Sequence, residues 1–162
     1  MLFSIIFFFS SSSVISLSNS AKLTTTNITF EGNNVSATVP ILGVSGGSTL
    51  NLNSGSTVQN GINTSNYSGG GINVSGSSTL NMTSSTIKNN KSTGTTNAQG
   101  GGVYVNGGTI TMNSGTITQN KNDASNGAGG GIFIWNGTGN IKGGTISSNS
   151  SINGGGIYAG HD

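Results

Sequence analysis

Along most of the chain, apolar residues come in short runs that alternate with polar ones, as in Ile72-x-Val74 and Leu80-x-Met82, followed by Ile87. A period of two is the signature of a half-buried β-strand. The runs themselves recur: GGGINV at residues 69–74 returns as GGGVYV at 100–105, GGGIFI at 129–134 and GGGIYA at 154–159, with starts 31, 29 and 25 residues apart. Two further landmarks are steadier. Thr49, Thr79, Thr109 and Thr138, within STLNL, STLNM, GTITM and TGNI, are spaced by 30, 30 and 29 residues, and so are Asn60, Asn90, Asn120 and Asn149. The length variation is confined to residues 61–68, 91–99, 121–128 and 150–153, which are polar and turn-rich and read as surface loops.

Each unit holds about three short strands, too short to bury a face alone. Wound as one coil per unit, every strand lies beside its copy in the next coil, parallel and in register, which is an all-β parallel β-helix of about five coils with roughly 30 residues each. At about 4.8 Å per coil the rod is on the order of 20 to 25 Å long. The predicted inward stacks are Leu42, Ile72, Val103, Ile132 and Ile157; Val44, Val74, Val105, Ile134 and Ala159; Leu50, Leu80 and Ile110; and Leu52, Met82, Met112 and Ile141. Gly139 interrupts the third stack, and residues 56–58 carry a one-residue ambiguity that reads as a bulge. The triple glycines Gly69, Gly70 and Gly71; Gly100, Gly101 and Gly102; Gly129, Gly130 and Gly131; and Gly154, Gly155 and Gly156 suit corners that need positive φ or close approach between coils. Asn60, Asn90, Asn120 and Asn149 are expected to form an inward ladder that pairs the backbone groups of the corners.

Composition narrows the class. Hydrophobic residues make up 31% of the chain and charged residues 5%, against 29 glycines, so strong helix formers are too scarce for a helical bundle. The regular apolar spacing speaks equally against a disordered chain. The net charge of +2 comes from Lys22, Lys88, Lys91, Lys121 and Lys142 against Glu31, Asp123 and Asp162, with no arginine. Five scattered lysines do not make a phosphate-binding face, which excludes nucleic acid as a partner. There is no cysteine, hence no disulfide framework and no thiolate metal site.

Residues 1–21 differ from the rest: an apolar run from Leu2 to Phe9, a serine tract, then Val14-Ile15-Ser16-Leu17 and small residues up to Ala21. The run is shorter than the roughly 20 residues of a membrane span, and the segment reads as a signal peptide processed near Ala21. The expected organisation is a signal peptide over 1–21 and a β-helix over 22–162, incomplete at its C-terminal end, with no membrane span after signal removal.

The repeats resemble those of the chlamydial polymorphic outer membrane proteins, whose passenger domains carry GGA(I/L/V) and FxxN motifs. One FxxN is literal at Phe30-Glu31-Gly32-Asn33, later copies read Ile87-x-x-Asn90, Ile117-x-x-Asn120 and Ile146-x-x-Asn149, and GGG stands where that family has GGA. The resemblance covers roughly residues 24–162 and implies a right-handed parallel β-helix, secreted or displayed on the cell surface (the outer membrane in a bacterium), used for adhesion or antigenic display. The implied partner is a host or neighbouring-cell surface protein or glycan.

Many parallel β-helices are pectate lyases or polygalacturonases, which work with clustered carboxylates. This chain has three side-chain carboxylates, far apart in sequence, and its lone imidazole, His161, stands beside Asp162. No catalytic residue, metal site or cofactor is expected. The outward positions are more informative: Tyr104, Phe133 and Tyr158 recur at one outward position, with Asn73 before them and Trp135 nearby, a candidate strip for stacking on sugar rings or docking a protein. A second outward ladder runs through the four landmark threonines and Asn51, Asn81, Thr111 and Asn140. Asn-x-Ser/Thr sequons stand at Asn27, Asn34, Asn63, Asn66, Asn73, Asn81, Asn90, Asn136 and Asn149; the inward Asn90 is expected to stay unmodified. The expected function is an exported interaction module without catalysis, with end-to-end self-association through an open coil edge as an added expectation. The alternative is a polysaccharide-binding module or the N-terminal part of a pectate-lyase-like enzyme.

Overall fold

The computed structural model describes residues 12–161 in full and Phe3–Ile6 through their backbone. The chain forms a β-solenoid of about five turns with roughly 29 residues per turn, and the described residues contain no helix. Four sheets run along it. The first contains Ile15–Leu17, Leu42–Val44, Ile72–Ser75, Val103–Asn106, Ile132–Trp135 and Ile157–Gly160. The second contains Lys22–Thr25, Thr49–Leu52, Thr79–Met82, Thr109–Met112 and Thr138–Ile141. The third contains Phe3–Ile6, Ile28–Glu31, Thr57–Gln59, Ser85–Lys88, Gly115–Thr118 and Thr145–Ser147. Every pairing is parallel, for instance Ile72 with Leu42 and Val103, and Leu80 with Leu50 and Ile110.

This register follows from the repeat. A slip by one residue would turn every inward aliphatic outward, whereas in register Leu42, Ile72, Val103 and Ile132 stack without solvent contact, as do Leu52, Met82 and Met112. Each such side chain contributes about 1.5–3 kcal/mol through burial. Phe30, Val58, Ile87 and Ile117 form a further inward column, joined by the half-buried Ile146. Gly139 faces Ile110, as the sequence indicates, and in the last turn Ile141 and Ile157 are 42% and 39% exposed.

Three features depart from the sequence reading. First, there is a fourth sheet of two-residue strands, Ser36–Ala37, Ile62–Asn63, Lys91–Ser92 and Lys121–Asn122, the last three of which occupy the start of segments expected to be loops. Its inward residues Asn63, Ser92 and Asn122 are polar and buried, so hydrophobic periodicity gives no hint of them. Asn63 donates to Ser68 Oγ and the Gly69 carbonyl and accepts from the Ser65 amide, while Asn122 donates to the carbonyls of Ala98 and Ala128. Secondly, the solenoid starts ahead of Lys22: Ile15–Leu17 pairs with Leu42–Val44, and Phe3–Ile6 pairs with Ile28–Glu31. The expected signal segment therefore overlaps the first turn, although residues 1, 2 and 7–11 lie outside the described residues.

Thirdly, the inward ladder is made of Asn90, Asn120 and Asn149 and does not include Asn60. The Asn120 Oδ1 accepts from the Asn90 backbone amide at 3.0 Å and from Asn90 Nδ2 at 3.1 Å, and Asn149 Oδ1 receives the same two bonds from Asn120. The amide nitrogens of Asn90, Asn120 and Asn149 also donate to the carbonyls of Val58, Ile87 and Ile117. Asn120, between the other two, thus uses both donors and both acceptor positions. Because Thr57 pairs with Thr86, the turn before Asn90 is one residue short, and Gly61 stands at the ladder position, donating its backbone amide to Asn90 Oδ1 at 3.0 Å. Asn60 instead falls in the preceding column with Asn89, Gln119 and Ser148, all left-handed, with φ of 59°, 55°, 56° and 54°.

The third glycine of each triplet makes room for this ladder. A Cβ on Gly71 would stand 2.9 Å from Asn90 Cγ, and one on Gly102 would stand 3.0 Å from Asn120 Cγ. Replacing Asn120 by Ala removes the acceptor of the buried Asn90 backbone amide and the side-chain donor to the Ile87 carbonyl, while Asn149 Oδ1 keeps the Asn120 backbone amide, and is expected to lower unfolding stability by about 3 kcal/mol. Asn60→Gly, which keeps the left-handed corner, is expected to change it by less than about 1 kcal/mol. Urea denaturation of both variants checks the difference.

Candidate functional site

Parallel register brings Asn73, Tyr104, Phe133 and Tyr158 into one outward column of the first sheet, and Trp135 lies two residues beyond Phe133 on the same face. Strand spacing of about 4.8 Å forces neighbouring rings together. Phe133 and Tyr158 stack at 5.2 Å between centroids with 6° between planes, Phe133 and Trp135 at 6.1 Å with 17°, and Tyr104 tilts against Phe133 at 5.6 Å. So far the structure matches the sequence reading.

Exposure does not. Tyr104 and Phe133 are only 3% and 2% exposed and pack with Ala128 in a second apolar cluster outside the main core, while Trp135 and Tyr158 are half-buried. The reason lies in the first glycine of each triplet. Gly100, Gly129 and Gly154 have φ of 71°, 67° and 59°, and a Cβ on Gly100 would lie 2.9 Å from the Tyr104 nitrogen. The chain folds back across the outer face of the strand it is about to enter, and this covers the column. Of the four candidate contact residues, Tyr104 and Phe133 are therefore packing residues, and Trp135 and Tyr158 remain accessible.

What remains open is a groove of roughly 480 Å³ lined by Tyr67, Gln99, Tyr104, Asn106, Trp135 and Asn136. Asn106 is the register partner of Trp135 one turn earlier, and Gln99 lies immediately before a glycine triplet and bridges to Ala128. Tyr67 is 58% exposed at the tip of its loop, held there by a 2.9 Å hydrogen bond from Asn97 Nδ2 to its hydroxyl. Burial, and secondarily the nearby Tyr67, push the Tyr104 phenol above its usual range, so it stays protonated at neutral pH. Gln99 Oε1 and Asn73 Oδ1 are buried without a hydrogen-bond partner. Sequence reasoning missed Tyr67, Gln99, Asn106 and Asn136; the triplet alignment marks Gln99 and Asn106 as register neighbours of the aromatic column, but only the loop path brings Tyr67 there.

The carboxylates of Glu31 and Asp123 are occupied away from the groove. Glu31 accepts from the Asn33 backbone amide at 2.9 Å, Gln59 Nε2 at 2.6 Å and Asn60 Nδ2 at 2.9 Å. Asp123 bridges Lys91 and Lys121, each at 2.7 Å, the two lysines being register partners in the fourth sheet. Burial pushes the Asp123 carboxyl up, but hydrogen bonds and charge from Lys121 and Lys91 outweigh it and hold it below its ordinary value. Among the described residues no three His, Asp or Glu side chains gather as a metal-binding group. On the second sheet, Asn81 donates to Asn51 Oδ1 and Asn51 to Thr24 Oγ1, so that outward ladder bonds to itself. Of the sequons, Asn63 and Asn90 are buried, whereas Asn27, Asn34, Asn66 and Asn136 are exposed.

No protein-family model, curated protein or solved structure matches the chain.

Two outcomes follow. Phe133→Ala is expected to lower unfolding stability by about 3 kcal/mol, as for a core aromatic, readable as a drop in the urea midpoint. Asp123→Asn is expected to lower the melting temperature slightly at neutral pH. Because the folded pKa lies below the unfolded value of about 3.9, the ion pair stabilises fully above that value and its contribution is lost as pH falls through the folded pKa. The difference between wild type and variant should shrink with acidification and with added salt, as seen in melts across a pH and ionic-strength series.

Proposed function

We propose that the chain is an exported, surface-displayed or extracellular interaction module that works by adhesion rather than catalysis, with the Trp135 groove and the loops beside it as its contact region. The observation that carries this reading is the contrast between two kinds of polar group. Glu31 and Asp123 spend their oxygens on backbone, amide and lysine partners within the solenoid, while the groove gathers aromatic and amide side chains around an opening. Such a surface recognises and holds; it does not move protons between carboxylates. The resemblance to polymorphic outer membrane protein repeats and the apolar segment ahead of Ala21 support export. Processing there would remove Ile15–Leu17 and leave Leu42–Val44 as the edge of the first sheet.

Beads coated with the purified chain should be retained on partner cells in a saturable way, competed by the soluble chain, and several-fold less when they carry Trp135→Ala. Surface labelling of the producing cell should recover a species whose first residue lies near Ala21. Retention no greater than that of albumin-coated beads, or a product confined to the cytosol, would sink the reading.

A further inference from the structure

We infer that the Trp135 groove binds a neutral glycan, taking one or two uncharged pyranose units against the indole. This rests on the reading of the chain as an interaction module and names the ligand of that site.

The platform is pre-set. The indole lies alongside Phe133, nearly parallel to it, and over the Gly160 backbone, where a Cβ would come within 2.6 Å of Trp135 Cζ3. A ring held in this way has lost its rotameric freedom before a ligand arrives, which is what makes an aromatic anchor effective. Trp135 nevertheless keeps part of its surface in contact with solvent, and sugar C–H faces stack on such a ring.

The rim selects the chemistry. Gln99, Asn106, Asn136 and the Tyr67 hydroxyl supply both donors and acceptors, as sugar hydroxyls do, and no lysine, aspartate or glutamate lines the groove. Phosphate, sulfate or uronate would need a cation there. A purely apolar ligand would leave the Gln99 acceptor unsatisfied. At the groove the orphaned acceptor Gln99 Oε1 awaits a donor, and a hydroxyl reaching into the groove is the neutral group that can supply one. The volume of roughly 480 Å³ falls within the range of about 300–1,000 Å³ usual for small-ligand sites.

The chain contains a single tryptophan, Trp135, so its fluorescence reports on this site alone. The full chain is titrated to millimolar ligand with a panel of neutral hexaoses (gluco-, manno-, galacto-, xylo- and N-acetylglucosamine oligomers) and with hexagalacturonate as the anionic control. At least one neutral hexaose should change the emission saturably, with an affinity insensitive to salt, and hexagalacturonate should not. By calorimetry, Trp135→Ala and Gln99→Ala should each weaken that binding by about tenfold or more, with melting midpoints close to wild type; if Trp135→Ala melts early, Gln99→Ala and Asn106→Ala carry the comparison. A flat titration across the panel, a response to hexagalacturonate alone, or binding that survives the groove variants overturns the inference. Saturable bead adhesion with a flat sugar panel would mean a protein ligand, leaving the interaction module standing without its glycan; sugar binding without adhesion would do the reverse.

Discussion

The structure depends on satisfying buried backbone groups at the corners of a narrow core. A coil of short strands pairs its straight stretches automatically with the coils above and below, but each corner turns backbone amides and carbonyls inward where no water reaches them. Asn90, Asn120 and Asn149 resolve this, because each primary amide bonds to its copy and to the local backbone, and Asn120 between the other two uses all of its hydrogen-bonding capacity. The ladder requires each asparagine to stand at the same corner of its coil, whether 30 or 29 residues after the last, and this holds the flanking strands in register. Gly71, Gly102 and Gly131 belong to the same device, since their missing Cβ atoms leave the space that the amides fill.

The N-terminal end of the ladder shows how the device tolerates change. Where one turn is a residue short, Gly61 offers only its backbone amide to Asn90, and Asn60 moves to the left-handed column, where Glu31 receives its side chain. One residue can thus be absorbed because Asn tolerates a left-handed corner with little strain.

On the outside, the fold-back at Gly100, Gly129 and Gly154 decides which aromatic residues serve packing and which serve contact. Tyr104 and Phe133 become a second small core, and this in turn steadies Trp135 at its margin. Rigidity of the contact region therefore comes from the same glycines that shape the interior. The groove is neutral because no charged side chain lines it, Lys91, Lys121 and Asp123 being joined in an ion-paired bridge away from it and Glu31 held by amide donors.

The sequence by itself determined the solenoid, its period, the inward aliphatic stacks and the outward aromatic column, because parallel register makes one-dimensional spacing equivalent to vertical stacking. It also marked the asparagine ladder, and misplaced Asn60 because a repeat spacing of 30 residues in sequence does not reveal a 29-residue register in space. The fourth sheet was invisible, since its inward positions are Asn63, Ser92 and Asn122 and carry no hydrophobic signal. Only the tertiary structure decided that Tyr104 and Phe133 are covered and that Tyr67, Gln99, Asn106 and Asn136 meet around Trp135. Facing outward from a strand is a local property that alternation dictates, whereas exposure depends on where the loops return, and their path is set by buried hydrogen bonds and glycine dihedrals far from the residues they cover.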